Sequence, residues 1–247
     1  MLEYSSELCS INTIYCIITN RLPQFAVKRG RLMTLLVLAG TIGAGKTSLT
    51  KFLADHLGTE AFYESVDDNE VLPLFYKDPK KYAFLLQIYF LNKRFDSIKQ
   101  AYADDNNILD RSIFEDSLLF HLNADLGRAT DTEVQVYDSL LDNMMQELPY
   151  AAHKKRPDLL VHVRVSFETM LSRIQKRGRS YEQLDYDPTL YDYYKELNKR
   201  YDAWYDDYDE SPKMQIDGDQ LDFVENETDR KKVINMIDER LKTLESD

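Results

Sequence analysis

Apolar positions in this chain fall into two alternating kinds of run. Short uninterrupted runs occupy Leu35–Ala39, Ala61–Glu64, Ile108–Asp110, Leu159–Val165 and Met214–Asp217. They have the length and the near-continuous hydrophobicity of strands covered on both faces. Helical periodicity fills the intervals, over Lys46–Leu57, Lys80–Ala103, Phe114–Leu126, Glu133–Leu148, Phe167–Lys176, Thr189–Asp206 and Asp229–Leu244. The first of these places Leu49, Phe52, Leu53 and Leu57 on one face, and Gly58 closes it. Thr130 and Asp131 supply capping chemistry ahead of Glu133. Alternation of strand and helix predicts an α/β fold, one parallel five-stranded sheet flanked by helices, in a single domain over 33–247. Tyr191, Tyr194, Leu197, Tyr201, Trp204, Tyr205 and Tyr208 recur on one helical face among aspartates, which reads as packing and not as a base-stacking surface.

The junction after the first strand carries the clearest chemistry. Gly40-Thr41-Ile42-Gly43-Ala44-Gly45-Lys46-Thr47 fits G-x-x-x-x-G-K-[ST] between a strand and a helix, the context that makes the pattern a phosphate-binding loop. Its glycines allow the backbone N–H groups to converge on a polyphosphate, and the helix start at Lys46, Thr47 and Ser48 adds a positive dipole end. Lys46 is expected at the β/γ-phosphates and the Thr47 hydroxyl on Mg²⁺. The chain is therefore expected to handle a nucleoside triphosphate.

Composition narrows the partners. The 247 residues carry a formal net charge of -12, which argues against a nucleic-acid backbone as partner. No apolar run approaches the ~20 residues of a membrane helix. Cys9 and Cys16 are the only cysteines and both precede the phosphate loop, so neither a disulfide framework nor cysteine catalysis is expected; a cytoplasmic setting fits. The four histidines show no metal-ligand spacing, and His162, inside an apolar strand, reads as structural. Residues 1–32 differ in character from the remainder. They hold a short apolar run, Ile14-Tyr15-Cys16-Ile17-Ile18, preceded by Glu3 and Glu7 and no basic residue, unlike a secretory signal. They are expected to be a poorly ordered leader, or to lie outside a protein whose translation begins at Met33.

A triphosphate site also needs carboxylates at neighbouring strand ends. Asp110 closes one strand, followed by Arg111 and Ser112, and is a candidate on the Mg²⁺ side. Glu64, after Phe62-Tyr63, is a candidate base for an attacking hydroxyl. Arg173 and Arg177, four residues apart, lie on one helical face ahead of Gly178 and Arg179, and suggest an arginine-rich lid over the transferring phosphoryl group.

Together these residues, from Met33 to about Leu244, resemble the deoxynucleoside kinases, most closely the bacterial enzymes for deoxyadenosine and deoxyguanosine. The resemblance rests on the Gly40–Thr47 loop, Glu64, Tyr76 with Gln87 and Arg94, Asp110-Arg111-Ser112 with Asp116, and Arg177-Gly178-Arg179 with Glu182. It implies a P-loop kinase fold and transfer from ATP, with Mg²⁺, to the 5′-hydroxyl of a deoxynucleoside. Deoxyadenosine is expected first, with deoxyguanosine and deoxycytidine open. By the same resemblance Glu64 is the base and Arg111 holds it and the hydroxyl. Tyr76 and Glu182 bind the 3′-hydroxyl, and Gln87, Arg94 and Asp116 read the nucleobase. Arg173, Arg177 and Arg179 form the lid, and Asp217-Gly218-Asp219 lies beside the donor's adenine. Asp110 stands where animal members carry glutamate, which makes direct metal ligation by it uncertain. A homodimer is implied. Two rivals remain at this point: a nucleoside monophosphate kinase of the thymidylate type, which needs no base, and a P-loop ATPase or switch without a small acceptor.

Overall fold

The structure is a computed structural model and describes residues 35–246 apart from 65, 67, 102–106 and 152–155. The leader expected at 1–32 and the last two residues of the helix expected over Lys80–Ala103 lie outside the described residues. Five strands, β1 (Leu35–Ala39), β2 (Glu60–Phe62), β3 (Asn107–Asp110), β4 (Leu159–Arg164) and β5 (Lys213–Asp217), pair in parallel in the order β2-β3-β1-β4-β5. Around them lie α1 (Lys46–Leu57), α2 (Leu72–Lys77), α3 (Pro79–Ala101), α4 (Phe114–Asp125), α5 (Asp131–Ala151), α6 (Phe167–Arg177), α7 (Leu190–Asp207) and α8 (Glu227–Ser246). A 3₁₀ turn spans Ser180–Glu182. No helix among the described residues is long and apolar enough to cross a membrane.

Because strand side chains alternate between faces, β1 feeds two cores at once. Leu36 and Leu38 join Ile108, Val161 and Val163 beneath α1, α6 and α8, while Leu35, Val37 and Ala39 join Leu109 and Leu160 beneath α3, α4 and Tyr137 of α5. Burial on both faces explains why the strands read as unbroken apolar runs. The chain leaves β1 towards β2 and β3 on one side and resumes with β4 and β5 on the other. The strand order therefore reverses beside β1, and in open parallel sheets the crevice at such a reversal, at the carboxyl ends of the strands, takes the ligand.

Several details depart from the sequence reading. Strand β2 stops at Phe62, so Glu64 follows it in the connection, where its carbonyl accepts from the Val66 amide at 2.9 Å. The six-residue α2 has no counterpart among the expected helices; it is too short for a periodic signal and begins at Leu72-Pro73. The cap ahead of α5 is a reciprocal box: Glu133 accepts from the Thr130 amide at 2.7 Å and donates its own amide to Thr130 Oγ1 at 3.3 Å. Gly58 ends α1 at φ 60° as expected. The tyrosine face of α7 does pack inward, with Tyr194, Leu197 and Tyr201 buried; Tyr191 is exposed. His162 is buried in β4 between the neighbouring strands and stacks on Tyr205 at 4.8 Å.

Candidate active site

The loop after β1 turns on glycines that no other residue replaces. At Gly40, φ is 142° and a Cβ would lie 2.5 Å from the Val163 carbonyl oxygen. Gly45, at φ 97°, opens α1, and no side chain caps this helix start; its orphan N–H groups, at Lys46, Thr47 and Ser48, are the kind that bind anions. Lys46 is buried and donates to the carbonyls of Gly40 at 2.7 Å and Thr41 at 3.0 Å. Burial, and then the charge of Arg111, lower its pKa to about 8 against the pull of Asp110, Glu115 and Glu64. Thr47 Oγ1 donates to Asp110 Oδ2 at 2.5 Å, while Asp110 Oδ1 is buried with no hydrogen-bond partner. Burial raises the Asp110 carboxyl, with Lys46 and the Thr47 hydrogen bond opposing. A hydroxyl and a partly unsatisfied carboxylate set together are an oxygen donor set suited to Mg²⁺. Elsewhere in the loop, Thr41 Oγ1 contacts Met170 Sδ at 3.4 Å, and Ile42 and Gly43 line the cleft.

Across from the loop, one glutamate oxygen is gripped by two arginines. Glu64 Oε1 accepts from Arg94 Nη2 at 3.0 Å and forms an ion pair with Arg111 Nε at 2.9 Å. Burial alone would raise the Glu64 carboxyl, but Arg111, Arg94 and Lys46 outweigh it and leave its pKa at about 2. Arg94 also donates through Nε to Asp116 Oδ2 at 2.6 Å, so a single guanidinium joins two carboxylates. Asp116 is fully buried with Oδ1 unpartnered, and burial raises its pKa to about 6 although Arg94 pulls the other way. Arg94 itself becomes more basic because Asp116 and Glu64 together outweigh its burial. Gln87, two turns earlier on α3, donates to the Asp116 carbonyl at 3.1 Å. Arg111 takes up φ 89°, a conformation that side chains rarely adopt, directly beside these charges.

From α6, Arg173 donates to the carbonyls of Ala44 at 3.0 Å and Gly218 at 2.8 Å, bridging the phosphate loop and the turn after β5. Arg177 Nη2 donates to Glu182 Oε2 at 2.5 Å, and Arg179 Nη1 lies 3.7 Å from Glu182 Oε1. Tyr76, buried on α2, packs against Tyr181 with ring centroids 5.1 Å apart.

A single cleft of about 1390 Å³ gathers most of the residues singled out from the sequence: the loop residues Ile42, Gly43 and Gly45 to Ser48, then Glu64, Tyr76, Gln87, Asp110, Arg111, Arg173, Arg177, Arg179 and Glu182. Arg94 and Asp116 do not line it and sit behind Glu64 and Gln87. Asp217 and Asp219 also stay out of its lining and shape turns instead. Asp217 Oδ1 accepts from the Asp219 amide at 3.0 Å, and Asp219 Oδ2 accepts from the Ser166 amide at 2.8 Å. The sequence reading passed over Glu115 and Tyr201, which meet Arg111 from below. Ser112-x-x-Glu115 has the spacing of a capping box and was the available signal for the first; Tyr201 lay hidden within the packing face of α7.

The sequence model of the deoxynucleoside kinase family matches residues 36–242. Deoxyguanosine kinase of Lactobacillus johnsonii is 65% identical over 212 residues, which cover 86% of this chain and 94% of that protein. Deoxyadenosine kinase of Lactobacillus acidophilus is 54% identical over 213 residues, covering 86% and 99%. Among solved structures, deoxyadenosine kinase from M. mycoides with bound dCTP superposes with a TM-score of 0.69 at 32% identity, covering 83% of this chain and 99% of that one. A phosphate loop, a carboxylate clasped by two arginines and a family match spanning nearly all of the domain agree, and the chain belongs to the deoxynucleoside kinase family.

Proposed function

We propose that this kinase moves the γ-phosphoryl group of ATP to the 5′-hydroxyl of a purine deoxyribonucleoside. The observation that carries the reading is the continuity of one cleft from Lys46 and Thr47 to Glu64, Gln87 and Glu182, room for a donor and an acceptor with a carboxylate between them. The purine preference is supported by the likeness, at 54–65% identity, to a deoxyguanosine kinase and a deoxyadenosine kinase.

Phosphoryl transfer asks little covalent work of the protein, so alignment and charge stabilisation dominate. Lys46 and the amides of the loop hold the donor phosphates. Thr47 and Asp110 would hold Mg²⁺, which neutralises charge on the phosphate oxygens when bound. Glu64 orients the acceptor hydroxyl and takes its proton as the bond to phosphorus forms, with Arg111 fixing the carboxylate. Gln87 offers an amide, donor and acceptor at once, to the base edge, backed by Arg94 and Asp116. Tyr76 and Glu182 take the 3′-hydroxyl, and Arg173, Arg177 and Arg179 follow the charge as a lid. Asp217 and Asp219 shape the turn whose Gly218 carbonyl anchors Arg173, a role at the donor side that is indirect. The domain over 33–247 is read as the working unit, as a cytoplasmic homodimer in keeping with the family resemblance.

Phosphoryl transfer from labelled ATP with Mg²⁺ to deoxyadenosine, deoxyguanosine, deoxycytidine, thymidine and thymidylate in parallel tests the reading. Label in a purine deoxynucleoside monophosphate is the expected result. Label confined to thymidine diphosphate, or ATP hydrolysis without any acceptor, would overturn it.

A further inference from the structure

We propose that Glu115 is a positioning residue that fixes the phosphate loop and Arg111 relative to one another, so that donor and acceptor meet at one distance. The inference rests on the reading of function given above, and it starts from a carboxylate with no exposed surface at all. A charge held that deep persists only where every lone pair is used. Oε2 of Glu115 accepts from the Ser112 amide at 2.7 Å. Oε1 accepts from the Gly40 amide at 3.1 Å and from the Tyr201 hydroxyl at 2.9 Å, and lies 3.7 Å from Arg111 Nη1.

The ordinary explanation of such a residue is a helix cap. Ser112 and Glu115 do have that spacing, and the Ser112 amide is the bond a cap requires. A cap has no use for the second oxygen, and here the second oxygen serves the site from two sides. On the donor side it holds the N–H of Gly40, whose carbonyl in turn accepts from Lys46 Nζ at 2.7 Å. The first residue of the phosphate loop is thus pinned at both ends, and Lys46 with it. On the acceptor side, Tyr201 relays: its hydroxyl donates to Glu115 and accepts from Arg111 Nη1 at 2.8 Å. Arg111 then holds Glu64 at 2.9 Å.

Glu115 also secures the backbone on which Arg111 stands. Arg111 has φ 89°, and such strain endures only where its surroundings over-determine it. The Arg111 amide is tied to the Leu38 carbonyl at 2.9 Å, and the next amide, that of Ser112, is tied to Glu115. One buried carboxylate therefore reaches the donor loop, the strained turn and, through Tyr201, the guanidinium on Glu64. Misplacement of reacting groups by about 1 Å costs on the order of 10²-fold in rate, and this is the error that Glu115 prevents.

Steady-state kinetics of Glu115→Gln, Tyr201→Phe and the double variant test this, with the folded fraction of each fixed by thermal unfolding. The expected result for Glu115→Gln is a kcat lower by ~10–10²-fold per folded enzyme, with KM for ATP and for the deoxynucleoside within about threefold of wild type. Tyr201→Phe should lose part of the same kcat, and the double variant no more than Glu115→Gln alone, since both act along one path. A helix cap would lower the unfolding temperature and leave kcat per folded enzyme alone; that outcome overturns the proposal. Fully additive losses in the double variant overturn it as well. Should Glu115→Gln fail to fold, an undiminished kcat in Tyr201→Phe overturns the relay. An active wild type with an unimpaired Glu115→Gln refutes this inference alone, whereas a wild type inactive on every deoxynucleoside refutes the reading of function beneath it.

Discussion

Replacing Arg94 with methionine keeps an unbranched apolar stem and removes the guanidinium whose charge two buried carboxylates share. Glu64 loses a bond of 3.0 Å but keeps Arg111; Asp116 loses its 2.6 Å bond and keeps only the weaker pull of Arg111, with which it makes no ion pair. Breaking a buried pair from one side costs about 3–5 kcal/mol, because the remaining charge is left uncompensated. Part of that loss must depend on pH, and its sign follows from Asp116. Its pKa in the folded state, about 6, lies above the ordinary 3.8. A carboxyl raised in this way binds a proton on folding, so its contribution is most favourable at low pH and is lost as pH rises towards the folded value. In the wild type most of this loss has occurred by pH 6 and the rest follows within about a pH unit above it; without Arg94 the folded pKa climbs further and the loss continues. Between pH 6 and 7.5 the variant loses stability at up to about 1.4 kcal/mol per pH unit, or up to about 2 kcal/mol across the window, while the wild type loses only the small remainder of its own contribution. Glu64 retains Arg111 and Lys46, both of which hold its carboxyl low.

Urea unfolding followed by fluorescence of Trp204, the only tryptophan, reads both quantities. Arg94→Met should be less stable than wild type by roughly 3–5 kcal/mol at pH 7.5, with up to about 2 kcal/mol of that deficit gone at pH 6. Adding Asp116→Asn removes the stranded charge and should abolish the pH dependence of the deficit. A deficit below about 1 kcal/mol, or one that is constant from pH 6 to 7.5, would show that Asp116 is not the buried charge described here.

Three further outcomes are expected. Glu64→Gln should lower kcat by ~10²–10⁴-fold with little change in KM for ATP; turnover near the wild-type value would remove Glu64 from the role of base. His162 has its pKa lowered to about 4 from 6.5, chiefly by burial, so the folded state disfavours the protonated ring. Relative to His162→Gln, the wild type should therefore lose up to about 3 kcal/mol as pH falls from 6.5 to 4 in urea titrations, and a flat difference would refute this. Gly40→Ala and Gly178→Ala separate backbone strain from collision: both have positive φ, but a Cβ meets the Val163 carbonyl at 2.5 Å in the first and nothing within 4 Å in the second. Gly178→Ala should cost about 1–2 kcal/mol by thermal unfolding, whereas Gly40→Ala should cost more and also raise KM for ATP. Equal costs for the two would count against the packing drawn around Gly40.

The parts of this molecule that were legible in the sequence are those with a period or a fixed local spacing. Strand β1 was visible because both its faces are buried, and the phosphate loop because Gly40, Gly45 and Lys46 must follow a strand at set distances. Helix α2 was not visible, since six residues make fewer than two turns of pattern. Glu115 was missed for a different reason. Its partners Gly40 and Tyr201 lie 75 and 86 residues away, and only the local half of its work, the Ser112 cap, leaves a mark in sequence. The same holds for Arg94. Its spacing from Gln87 on α3 is readable, but its position between Asp116 and Glu64, 22 residues one way and 30 the other, is a property of the fold.

A chain of net charge -12 that must hold a polyphosphate has to concentrate its cations, and the way it does so links the two halves of the cleft. Arg173 binds the loop through Ala44, whereas Arg177 and Arg179, on the same stretch of chain, turn to Glu182. Glu182 is almost wholly buried and is the residue read as holding the acceptor's 3′-hydroxyl, with its backbone carbonyl fixed by the Tyr194 hydroxyl at 3.0 Å. In the function proposed above, a shift of Arg177 towards the donor would release charge on Glu182, and an acceptor seated on Glu182 would compete for the donors of Arg177. Beneath, Glu115 ties Gly40 to Arg111 in the same sense. Two sites that bind different molecules are in this way held to one geometry from above and below, which is what a reaction limited by alignment demands of its protein.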